Sequence, residues 1–368
     1  MTVESAVAFK PYRLDETESV QARIRAAKAK LGDKLFILGH HYQREEVFQH
    51  ADCSGDSLKL SRMAAKSNAD YIVFCGVHFM AEVADILTRP EQKSILPDLA
   101  AGCSMADMAN LAKVEKAWRE LSSVLGNADE VITPMTYINS AADLKAFCGR
   151  HGGIVCTSTN AKNVVEWGFS QREKILFFPD QHLGRNTAYR MGIGLDEMVV
   201  WDFEKPLGGL TETEIKNAKM ILWKGFCSVH QMFKPEHIDK FLEKYPNGKV
   251  ISHPEASFEV CQKSHYVGST EYIIKTITDA EPNTQWLVGT ELNLVNRLAE
   301  KHKKDNKHVQ FMATTISMCS TMFRISAAQL ATILEGLVDG EVKNQIKVSK
   351  REAEYALLAL NRMFEVSP

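Results

Sequence analysis

The stretch KLFILGHHY, Lys34–Tyr42, is an apolar run of strand length that breaks into two histidines and a tyrosine. The same form recurs twice, as EVITPMTY at Glu130–Tyr137 and KVISHPE at Lys249–Glu255. Further runs follow each one. After the first come DYIVFCGV (Asp70–Val77) and SILPD (Ser94–Asp98). After the second come GIVCT (Gly153–Thr157), KILFFPD (Lys174–Asp180) and EMVVWD (Glu197–Asp202). The third is followed by HYVG (His265–Gly268), QWLVGTE (Gln285–Glu291) and HVQFMAT (His308–Thr314). Helical patterns lie between them, at Ser57–Ser67, Ser140–Arg150 and Glu212–Lys224 among others.

This alternation predicts α/β construction with parallel sheets, and the spacing of the runs leaves room for βαβ crossovers. Three units of about 100 residues fit the length. The expected fold is three pseudo-symmetric repeats of a small parallel-sheet α/β sandwich around a central site. The units are expected at 1–100 with 326–368, at 101–206 and at 207–325. No long Gly/Ser- or Pro-rich linker separates them, so they should pack tightly. The last segment, Asn344–Pro368, reads as largely helical and is placed against the first unit.

Composition narrows the function. Lys and Arg number 44 against 46 Asp and Glu, a formal charge of −2. That balance argues against a nucleic-acid scaffold or a polybasic membrane binder. Apolar residues make up 45% of the chain, enough for a sizeable core. The longest strongly apolar stretch, Tyr71–Val77, is far short of a membrane span, and the N-terminus lacks the form of a secretory signal. A cytoplasmic protein is expected, with no nucleic-acid or membrane partner.

Open parallel sheets bind ligands beyond the carboxyl ends of their strands, and polar residues gather there. His40 and Tyr42, Tyr137 and Asn139, and His253 and Glu255 end the first run of each unit. Ser158 and Thr270 stand where later runs pass into helices, and Ser57 opens a helix. Singly, each reads equally well as a cap or turn residue. Recurring at equivalent points of three units, they suggest one composite site for a substrate bearing phosphate or carboxylate groups. Tyr42, Tyr137, His40, His253 and Glu255 are the candidates for proton transfer. The G-x-G-x-x-G, P-loop and G-x-S-x-G patterns are absent.

Eight cysteines are present and none forms a C-x-x-C pair. Most read as small buried hydrophobes. Cys103, Cys227 and Cys319 differ, because each occupies loop-to-helix ground. Three converging thiolates would hold a soft metal or an iron–sulfur cluster and leave one coordination position open.

GHHYQ, GDSLKLS, GVHFMAE, GCSMAD, YINS, CTSTNA, PDQHLGRN, WKGFCSVH, SHPEA and VGSTEYI occur in this order along most of the chain. In these segments the chain closely resembles the quinolinate synthase (quinolinate synthetase A) family. The resemblance implies an enzyme, a transferase of de novo NAD biosynthesis. It would condense iminoaspartate with dihydroxyacetone phosphate to quinolinate, releasing phosphate and water. It implies one [4Fe-4S] cluster per chain on Cys103, Cys227 and Cys319, acting as a Lewis acid. It implies dicarboxylate contacts from His40, Ser57, Tyr137, Asn139, Ser158, His253, Glu255 and Thr270. Tyr42 and Glu255 would be the acid–base pair, and His230 would orient a bound oxygen. A transient contact with L-aspartate oxidase is expected of the pathway. Some relatives carry C-x-x-C-x-x-C at the third ligand; here Ala313 and Ile316 hold the two earlier positions, leaving Cys319. Three rival readings follow from the residues alone: a zinc aldolase using His40, His253 and Glu255, an iron–sulfur sensor, and a small-anion binding protein.

Overall fold

The computed structural model describes residues 14–315 and 317–367. Residues 1–13 of the expected first unit, Ile316 and Pro368 lie outside them. The described residues fold into three sheets with helices packed around them. The first runs Cys53–Gly55, Leu35–His40, Tyr71–Cys75, Lys93–Ile95 and Gln345–Ile346 from edge to edge. The second runs Ile154–Cys156, Ile132–Tyr137, Lys174–Phe178, Met220–Trp223 and Met198–Trp201. The third runs Tyr266–Val267, Lys249–Ser252, Gln285–Gly289 and His308–Phe311. Every strand pair is parallel except that of Gln345–Ile346 with Lys93–Ile95. In all three sheets the first strand in the chain lies between the second and the third. That shared order is the internal repeat expected from the sequence.

Sheet membership departs from the expected boundaries at two places. Met220–Trp223, read as the tail of a helix over Glu212–Lys224, is a strand of the second sheet; the helix ends at Asn217. A short apolar run fits a buried strand and a buried helical segment equally well by periodicity. The second sheet therefore extends past 206 to Trp223 and brings Cys227 with it. The C-terminal segment also divides. Helix Ala327–Val338 packs on helix Leu14–Leu31 and Gln345–Ile346 joins the first sheet, whereas helix Lys350–Glu365 packs chiefly on helix Ala142–Arg150 and strand Ile154–Cys156 of the second unit. Gly149 permits this contact, because a Cβ there would stand 1.9 Å from the carbonyl oxygen of Tyr355.

The apolar interior of the first two units is continuous, burying Ile37, Phe74, Leu176 and Trp223 together. The third unit has a separate core on each face of its sheet. Its junction with the others coincides with the site.

Candidate functional site

Twelve of the thirteen side chains expected at the site line a single cavity between the three units. The repeat explains how. Each first strand ends in a pair facing the cavity: His40 and Tyr42, Tyr137 and Asn139, His253 and Glu255. Each second strand leads towards a helix, with a hydroxyl at the helix start for Ser57 and Thr270 and in the turn just ahead of it for Ser158. Cys103, Cys227 and Cys319 follow the fourth strand of the first sheet, the last of the second and the last of the third. The strand Cys53–Gly55, which sets Ser57 in place, is missing from the pattern read in the sequence. It has only three residues and no apolar run.

Hydrogen bonds close the ring of units around the cavity. Thr159 of the second donates to Asp56 of the first at 2.6 Å. Tyr137 of the second donates its hydroxyl to Glu255 Oε1 of the third at 2.7 Å. The hydroxyls of Tyr42 and Thr290 lie 3.0 Å apart, and His41 Nε2 lies 2.8 Å from Glu271 Oε1.

His230 is the thirteenth residue, and it does not line the cavity. Its ring is buried behind Glu255, with Nδ1 3.0 Å from Oε2, and it stacks on His253 at 4.8 Å between centroids. The approach to Oε2 is off the line that a hydrogen bond needs, so both ring nitrogens lack a hydrogen-bond partner among the described residues. Cys227 Sγ, a His230 nitrogen and a Glu255 oxygen lie within 4.8 Å of one another, a grouping able to hold a metal ion.

The two histidines at strand ends are built alike. His40 Nδ1 accepts the backbone N–H of Tyr42 at 3.1 Å, and His253 Nδ1 accepts that of Glu255 at 3.4 Å. Burial pushes both imidazoles down, His253 to about 3, so both are neutral near pH 7 with the proton on Nε2. Burial favours the neutral form of Glu255, but His230 and His253 with the Tyr137 hydrogen bond outweigh it and hold the carboxyl at about 2. Burial and then the Glu255 charge push the phenols of Tyr42 and Tyr137 well up. The cavity thus sets one carboxylate beside two neutral phenols.

The cysteines reveal a repeat that sequence reading passed over. CSMADM (103–108), CSVHQM (227–232) and CSTMFR (319–324) each place Cys-Ser ahead of a short helical turn that begins three residues after the cysteine. In each, the N–H four residues on donates to the cysteine carbonyl, at 3.0, 3.1 and 2.9 Å. Cys319 Sγ lies 3.3 Å from the hydroxyl of Thr321, inside its own turn. The Cys-Ser pair at three points was the available signal. Trp223 Nε1 donates to the Met108 carbonyl at 3.0 Å, tying the first turn to the approach to the second.

These residues fit an iron–sulfur cluster. All three thiols are free of disulfides and face the same cavity. Burial raises each of them, Cys103 to about 12, and the neighbouring sulfurs raise Cys103 and Cys227 further. Three thiolates so close together need a compensating cation. Asp56, which the expected site lacked, also lines the cavity, and Thr290 backs Tyr42 through its hydroxyl. Asp180 is fully buried with Oδ2 lacking a hydrogen-bond partner among the described residues, and Asp56 caps the helix that Ser57 opens.

Among the described residues no helix is long and apolar enough to cross a membrane. A family model described as Quinolinate synthetase A protein matches residues 22–365. The chain is 51% identical over 376 residues to the quinolinate synthase of Rhodopirellula baltica, covering 99% of this chain and 95% of that one. It is 55% identical over 349 residues to that of a Nocardioides species, with 93% and 88% covered. Against the quinolinate synthase of Geobacillus thermodenitrificans it is 52% identical over 358 residues, with 97% and 96% covered.

Proposed function

The chain belongs to the quinolinate synthetase A family, and from that premise we propose that it forms quinolinate from iminoaspartate and dihydroxyacetone phosphate, releasing phosphate and water, in the cytoplasmic synthesis of NAD. The observation that carries this reading is the convergence of three Cys-Ser turns, three helix-opening hydroxyls and three strand-end pairs on one cavity. Cys103, Cys227 and Cys319 would hold the [4Fe-4S] cluster, which supplies a Lewis acid through its open iron; the reaction has no net redox change.

The chain's own residues account for binding and proton movement. Ser57, Ser158 and Thr270, with the backbone N–H groups of their helix starts, form a cradle for phosphate and carboxylate oxygens. His40 and His253 offer Nε2–H donors, and Asn139 presents a buried Oδ1 without a partner among the described residues. Glu255, held ionised, takes protons during isomerisation and dehydration, and Tyr42 returns them as the acid. Tyr137 orients Glu255 through its hydroxyl, and His230 acts on Glu255 from behind. L-aspartate oxidase, as the source of iminoaspartate, is a transient partner in this reading.

A second reading, a single divalent ion on Cys227, His230 and Glu255, draws on their mutual proximity. It leaves Cys103 and Cys319 without a role. Iron and sulfide analysis of protein purified without air, combined with assay of quinolinate from the two substrates, decides between them. About four irons and four sulfides with quinolinate formed supports the synthase. One zinc and no sulfide overturns it.

A further inference from the structure

Lys145, on helix Ala142–Arg150, has a fully buried side chain. A buried ammonium is costly unless its protons are placed. Here they are placed on backbone and hydroxyl oxygen. Nζ donates to the carbonyl of Ser140 and, at 3.4 Å, to its hydroxyl. An ammonium can only donate, so the directions of the surrounding bonds follow. Ser140 Oγ accepts from Lys145 and from Thr136 Oγ1 at 2.8 Å, and gives its own proton to the carbonyl of Tyr137 at 2.8 Å. Ser140 N–H donates to the Ile138 carbonyl at 2.9 Å.

The turn Tyr137–Ser140 is thus tied at carbonyl, hydroxyl and amide. It carries two cavity side chains, Tyr137 and Asn139, the latter with a buried oxygen that has no hydrogen-bond partner among the described residues. Lys145 Nζ also stands 5.5 Å from the ring centroid of Phe79, another wall of the cavity. The ammonium therefore lies one layer behind the ligand space.

We propose that Lys145 is a positioning residue, holding the Tyr137–Ser140 turn in the shape that lets Tyr137 and Asn139 grip a dicarboxylate. This rests on the functional reading above only for the nature of the ligand. Lys145→Met keeps the stem and removes the ammonium; Ser140→Ala keeps the charge and removes the linking hydroxyl. Quinolinate binding to the anaerobic holoenzyme is measured by titration calorimetry, beside iron content and melting temperature.

The expected result is binding by the wild type and at least tenfold weaker binding by both variants, with iron unchanged. The double variant should bind no more weakly than Lys145→Met, because both changes cut one link. The melting temperature is read beside the affinity, because Lys145→Met also leaves the neighbouring Glu82 and Asp143 carboxyls without their cation; a purely structural lysine would show a lower melting temperature with affinity intact. Wild-type affinity in either variant overturns the positioning role. A wild type that does not bind quinolinate overturns the functional reading, and the dicarboxylate role with it.

Discussion

The hydroxyl of Tyr137, at the end of a strand in the second sheet, donates to Glu255 Oε1, at the end of a strand in the third, across 2.7 Å. The two residues stand 118 apart in the chain, and the bond joins two units whose apolar cores are separate. It sets the direction of the carboxylate, the base of the proposed reaction, and places a phenol proton against it. Tyr137→Phe should lower kcat by about 10²-fold, and Glu255→Gln by about 10² to 10⁴-fold, the range for loss of a positioned acid or base. Steady-state assay with iron analysis checks this; iron should stay at the wild-type level in both.

Each cysteine of the three turns should be needed for the cluster. Cys103→Ser, Cys227→Ser and Cys319→Ser should each lose the broad absorption near about 400 nm, and quinolinate synthesis with it. Cys148→Ala serves as the control. Its thiol is fully buried on helix Ala142–Arg150 away from the cavity wall, so the change should cost stability and leave the absorption in place.

Gly225 precedes the second turn by two residues, and a Cβ there would stand 2.0 Å from the carbonyl oxygen of Pro179. Gly225 O also accepts from Gln181 N–H at 3.0 Å, within a parallel bridge to Asp180. Gly225→Ala must push these strands apart. A loss of about 1–3 kcal/mol is expected, the usual cost of overpacking. Denaturant unfolding measures it, and iron loading should fall in the same variant because Cys227 moves with the segment.

Ser57→Ala and Ser158→Ala remove hydroxyls from the anion cradle while leaving the helix N–H groups. Hydrogen bonds to charged groups are worth about 1.5–3 kcal/mol. KM for dihydroxyacetone phosphate should therefore rise by about tenfold or more in at least one of them. Unchanged KM in both would move the phosphate elsewhere in the cavity.

Lys145 gives the stability a defined pH dependence. Burial pulls its ammonium down from 10.5 to about 8. Below about pH 8 both folded and unfolded chains carry the charge, and the cost of burying it is fully present. Between about 8 and 10.5 the unfolded chain holds the extra proton, so this contribution to stability rises with pH. The cost relieved is about 3 kcal/mol. Denaturant unfolding of wild type and Lys145→Met at pH 7.5 and pH 10 should show the wild type gaining on the variant by an amount of that order.

The alternation of apolar runs and helical patterns, the threefold recurrence and the family were all legible in the chain. Strand and helix signals are local, and the motif segments lie within single turns. The short edge strand Cys53–Gly55 and the strand Met220–Trp223 were not legible as strands. The first has no apolar run, and the second is apolar but continues a helical pattern. The Cys-Ser repeat was present in the letters, yet its meaning depends on three turns that share one geometry.

By itself the sequence determined the α/β class, the family and which three cysteines stand apart. Only the tertiary structure decided that His230 sits behind Glu255 rather than on the cavity wall, that helix Lys350–Glu365 crosses to the second unit, and that Lys145 backs the Tyr137 turn. The physical reason is range. A propensity or a cap is settled within a few residues, whereas burial, orphaned polar atoms and shifted protonation arise when strand ends from three sheets meet in a space that water leaves.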